Sequence, residues 1–199
     1  MGTDLRRKAL FLAYFTVGYN IIEGVLSIAV GAASESVALV GFGLDSAVET
    51  LSGAVMIWRF RNYDTISEEE EERVERRATR LVGYTFIILA AYVVFASIRS
   101  LYGREVPERT LLGILIASVS LLVMPLLARV KYRTGQALGS RSLMADSRET
   151  LACSLLSAAL LVGLGLNYAF GLWQADPLAG LVIAVFLVRE GYEALASEG

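Results

Sequence analysis

Six stretches of the chain are apolar over about the twenty residues that an α-helix, rising 1.5 Å per residue, needs to cross a bilayer. They run from Ala9 to Ala32, Val37 to Phe60, Arg80 to Tyr102, Thr110 to Val130, Leu143 to Phe170 and Asp176 to Ala196. The connectors include the short AASES stretch from Ala32, an acidic loop from Arg61 to Thr79, and a turn region from Tyr168 to Ala175. Hydrocarbon tolerates no unpaired backbone group, so the spans must be helical. The pattern predicts an all-α membrane protein, with six transmembrane helices forming one transmembrane domain over residues 1–199.

Composition strengthens that reading. Of 199 residues, 55% are hydrophobic and 19% charged, and the mean hydropathy of +0.57 is too high for an ordinary soluble domain. No basic stripe of the kind that binds nucleic acid is visible. Arg6, Arg7 and Lys8 precede the first apolar stretch as in a signal peptide, but that stretch runs past twenty residues without a cleavage motif, which predicts a retained helix. The single cysteine, Cys153, allows no intramolecular disulfide, and there is no histidine.

Charge also sets the expected orientation. With the N-terminus inside, 13 basic residues fall on the inner side: Arg6, Arg7, Lys8, Arg59, Arg61, Arg73, Arg76, Arg77, Arg80, Arg129, Lys131, Arg133 and Arg141. Only Arg99, Arg104 and Arg109 fall outside, with Arg148 and Arg189 embedded in helices. Both termini are therefore expected in the cytoplasm, in a plasma (inner) membrane protein. LDSAVETLS from Leu44 and ADSRETLAC from Ala145 share their DS and ET pairs. The second and fifth helices run in opposite directions, so this echo suggests a 3+3 inverted repeat, against chance similarity of small and polar residues.

Charge within the spans carries the chemistry. Asp45 and Glu49, four apart in the second helix, lie on one face. Asp146, Glu149 and Cys153 fall at i, i+3 and i+7 in the fifth helix, again on one face. A carboxylate at such depth costs several kcal/mol unless it is paired, neutralised or lines a wet cavity. Two such faces brought together supply Asp45, Glu49, Glu149 and Cys153 as four ligands. Oxygens alone suit hard cations, and a thiolate shifts the preference to zinc, cadmium or ferrous iron. The competing readings are buried salt bridges of Asp146 or Glu149 with Arg148 or another arginine, and a Cys153 packed as a small hydrophobe. Asn20 and Glu23, three apart in the first helix, are candidates for supporting groups, a further ligand or a proton carrier, against a structural hydrogen bond as the competing reading of Glu23. The Glu68–Glu72 run reads as a solvated segment or helix start, with a weak metal-attracting role as the alternative. Gly41, Gly43, Ser46, Gly53 and Ala54 permit close helix contact.

Along nearly its whole length the chain resembles the cation diffusion facilitator family. YNIIEGVLSIAVGAASESVALVGFGLDSAVETLSG resembles the family's first two helices, LARVKYRTGQALGSRSLMADSRETLACSLLS its fourth-to-fifth connection, and DPLAGLVIAVFLVREGYEAL its sixth helix. In that family the ligands are two residues four apart on helix two and two more on helix five, which fall here on Asp45 and Glu49, and on Glu149 and Cys153. Asp146 then takes a supporting position. The usual aspartates at the second positions are replaced by Glu49 and Cys153, and histidine is missing. The resemblance is to short members with the transmembrane domain only and no cytoplasmic C-terminal domain.

What the resemblance implies is proton-coupled efflux of a divalent cation, with zinc first and cadmium, iron or manganese as alternatives, by a homodimer joined through membrane helices. The ion is the substrate, and no prosthetic group is expected. Protons and metal ions compete for the same carboxylates, which makes exchange physically reasonable. A non-transporting metal sensor or accessory protein shares every site residue. A membrane enzyme is disfavoured by the lack of histidine and of a visible Ser-Lys or other nucleophile–base pair within the helices.

Overall fold

The computed structural model describes residues 2–62 and 67–196. These form six helices: α1 (Gly2–Ala33), α2 (Val37–Asn62), α3 (Glu68–Gly103), α4 (Leu111–Leu138), α5 (Arg141–Phe170) and α6 (Ala175–Ala196). Five are long and apolar enough to cross a membrane. The sixth, α6, falls short through charge, because every 18-residue window in it contains Arg189 and Glu190 together with Asp176 or Glu193.

Of the boundaries that differ from the sequence reading, two bear on the site and have identifiable reasons. The stretch from Arg61 to Thr79 is not a loop throughout, since α3 begins at Glu68. Ser67 caps it, accepting from the Glu70 backbone N–H, and a glutamate run suits the positive end of a helix dipole. The side chains of Glu68, Glu71 and Glu72 lie outside the described residues. Helix α4 continues past Val130 to Leu138, where Gly139 ends it in a left-handed conformation (φ 66°). That extension carries Lys131 into the bundle instead of into a connecting loop.

Packing follows the same order in both halves: α1 lies on α2 and α4 on α5, α2 meets α3 and α5 meets α6, and α3 and α6 pack together. Small residues set the closest approach. A Cβ added at Gly43 of α2 would stand 2.9 Å from the Ile28 backbone nitrogen of α1, so only glycine fits at this crossing. Leu39, Phe42, Met124, Leu156, Leu160, Ile183 and Leu187 fill the apolar core between the helices.

One end of the bundle is tied by polar contacts. Asp176, fully buried in the first turn of α6, accepts from Ser36 Oγ (2.5 Å), Val37 N (2.9 Å) and Ala38 N (3.5 Å). It thereby satisfies orphan amides at the start of α2 from a different helix. At the same end, Asn167 Nδ2 donates to the Pro107 carbonyl (3.1 Å), and the Glu108 amide donates to that of Ser34 (2.8 Å). The other end, which carries both termini, opens into a cavity of about 1020 Å³ between α2, α3, α5 and α6.

Candidate metal site

Asp45 and Glu49 lie on the buried face of α2, 3% and 7% exposed, and Cys153 on α5 faces them, 1% exposed. One carboxylate oxygen from each acid and the thiol sulfur all lie within 4.8 Å of one another, close enough to surround a single ion. Among the described residues no other group of acids and thiols converges in this way. Asp45 Oδ2 is buried without a hydrogen-bond partner, an acceptor left free where a cation would supply the missing charge.

Glu149 stands apart from this trio. It is half-buried, accepts from Ser52 Oγ at 3.0 Å and lines the cavity. The helices explain the offset. Going from Cys153 back to Glu149 on α5 descends about 6 Å, and antiparallel α2 covers about 4.5 Å of that step from Glu49 to Ser52. The cavity thus reaches Glu149 and Ser52, roughly one turn from the buried trio.

The two residues singled out on α1 do support α2. Asn20 Nδ2 donates to Glu49 Oε2 at 2.9 Å. Glu23, 4% exposed, accepts from Ser46 Oγ (2.9 Å) and from Tyr19 Oη (3.0 Å). A hydroxyl pair between α4 and α5 lies nearby along the chain of contacts: Ser157 donates to Ser120 Oγ, 2.9 Å away.

Asp146 is paired, but not with an arginine. Its Oδ2 lies 2.8 Å from Lys131 Nζ, and the lysine is completely buried. The same ammonium donates to Thr150 Oγ1 at 2.8 Å. A lysine–hydroxyl pair therefore does exist within the helices, contrary to the sequence reading. The lysine Nζ thus joins Thr150 and Asp146, two residues one turn apart on α5. Lys131 was hidden in the sequence because it sits among Arg129 and Arg133 and reads as a flanking charge.

Comparison with known proteins gives the family. The model for the cation efflux transmembrane domain matches residues 13–198. Transmembrane protein 163 of Xenopus laevis is 24% identical over 96% of this chain and 68% of its own length. An uncharacterized transporter of Methanocaldococcus jannaschii is 28% identical over 87% of this chain and 62% of its own. The cadmium, cobalt and zinc/H(+)-K(+) antiporter of Bacillus subtilis is 24% identical over 94% and 60%. The chain spans about two thirds of the length of these curated relatives. Matched over nearly all of its residues, the chain belongs to the family defined by the cation efflux transmembrane domain.

Proposed function

We propose that this protein carries a divalent metal cation through the membrane by alternating access, binding it at Asp45, Glu49 and Cys153. The observation that carries the proposal is the convergence of two carboxylates and a thiol in a buried space, roughly one turn from Glu149 and Ser52 in the wall of a wide cavity. An ion entering the cavity reaches Glu149 before the trio. The flexible Glu149 side chain then releases Ser52 and supplies the fourth ligand.

A site of two or three carboxylates and a thiolate suits zinc or a similar borderline ion, with cadmium, ferrous iron and manganese as the ions to compare. The printed name of the Bacillus relative, an antiporter of cadmium, cobalt and zinc, supports that choice. Transport is outward in exchange for protons, since metal and protons cannot occupy one carboxylate together. The charge asymmetry of the connectors supports a cytoplasmic location for both termini, and in a plasma membrane protein so oriented the cavity opens inward. Residues 1–199 act as one transmembrane domain, without enzymatic chemistry, in a homodimer formed through membrane helices.

The deciding experiment is flux into proteoliposomes containing the purified protein. Zinc uptake that responds to an imposed proton gradient, and that falls to background in Asp45→Ala, supports transport. Saturable zinc binding without flux would identify a membrane sensor instead.

A further inference from the structure

Asp146, Glu149 and Cys153 share one face of α5, and both Asp146 and Glu149 line the cavity. By their spacing the first two are carboxylates one turn apart. The tertiary structure disarms that pair. Lys131 reaches across from α4, with its ammonium 2.8 Å from Asp146 Oδ2 and 2.8 Å from Thr150 Oγ1. Thr150 Oγ1 in turn donates to the Asp146 carbonyl at 3.0 Å, which closes the cluster. Lys131 has no exposed surface, so the ammonium is held in place and not exchanged for solvent. A tethered cation therefore occupies the position that a metal ion would take beside Asp146.

We infer that Lys131 is a specificity-determining residue that keeps hard divalent cations out of the transport path. Ions such as manganese and magnesium bind through several oxygens, commonly from paired carboxylates. With Asp146 committed to the ammonium, the acids left to such an ion in the cavity are Glu149 of α5 and, on α6, Glu190 and the Arg189-paired Glu193. A thiophilic ion is compensated one turn further in by Cys153, and a hard ion is not. Selectivity thus comes from an oxygen ligand withheld as well as from a sulfur ligand supplied.

The inference rests on the transport reading for its biological meaning, and its test includes binding as well as flux. Manganese and cadmium are titrated calorimetrically into detergent-purified native protein, Lys131→Met, Lys131→Gln and the double variant Lys131→Met/Asp146→Asn. Initial fluxes of both ions are measured in proteoliposomes. Lys131→Gln keeps a hydrogen-bond donor for Asp146 and Thr150, so it serves if the methionine variant does not fold. Removing the lysine charge is expected to shift the manganese-to-cadmium affinity ratio about tenfold toward manganese, the size typical of altered metal surroundings. The double variant, which lacks the freed carboxylate, returns the ratio to the native value. A purely structural ion pair would change the stability of the variants and leave the ratio alone. An unchanged ratio in a folded lysine variant, or a shift that persists in the double variant, overturns the inference. Native protein that binds both ions but transports neither overturns the transport reading, while the binding ratios still decide the role of Lys131.

Discussion

Asn20 and Glu49, twenty-nine residues apart in the chain, meet through one hydrogen bond of 2.9 Å from Nδ2 to Oε2. The bond holds the Glu49 carboxylate on the side of α2 that faces Asp45 and Cys153. Groups that orient a ligand typically alter metal affinity by about 10- to 100-fold when removed. Asn20→Leu is therefore expected to weaken zinc binding about tenfold while leaving the helical content unchanged. Titration calorimetry alongside circular dichroism checks both halves of that statement.

Cys153→Ser replaces a soft ligand with a hard one of similar size. Cadmium affinity should fall more than manganese affinity, by about tenfold or more in their ratio. Competition binding on the purified protein measures the order directly. If zinc, cadmium and manganese keep their native order, the sulfur is not a ligand.

Binding at Asp45, Glu49 and Cys153 requires each group to shed any proton that it holds. Metal binding then releases protons, and apparent affinity falls as pH falls, by up to about tenfold per pH unit for each proton displaced. Zinc titrations in weakly buffered solution, followed with a pH-sensitive dye, count the released protons. A pH-independent affinity with no proton release would exclude exchange at these carboxylates.

Asp176 joins the start of α6 to the start of α2, and its removal leaves the Val37 and Ala38 amides without that acceptor. Asp176→Ala should destabilise the protein by about 1–3 kcal/mol, as for other buried donors deprived of a partner. Asp176→Asn keeps one acceptor oxygen and should lose less. Thermal unfolding in detergent ranks the two variants against the native chain.

Gly43→Val tests the crossing of α1 and α2, where the backbone of Ile28 occupies the space that a side chain needs. Overpacking of this kind costs about 1–3 kcal/mol. Because Ser46 and Glu49 follow on the same helix, zinc binding should weaken along with stability. Loss of stability with unaltered binding would show that α2 adjusts without moving the site.

The sequence by itself determined the number of helices, their order, and the face on which each intramembrane acid lies. Hydropathy over twenty residues and the 3.6-residue period are local properties, so Asp45 and Glu49, or Glu149 and Cys153, could be put in register without any knowledge of packing. Partners between helices were not legible, because the depth and rotation of one helix against another depend on close contacts such as Gly43 against Ile28. Only the tertiary structure decided that Asp45, Glu49 and Cys153 converge while Glu149 stays with Ser52. It also decided that Asp146 is claimed by a buried Lys131, which the chain presents as one more basic residue beside a helix end. An intramembrane charge announces that it needs a partner, since lipid cannot solvate it. Which partner it finds is a property of the assembled bundle.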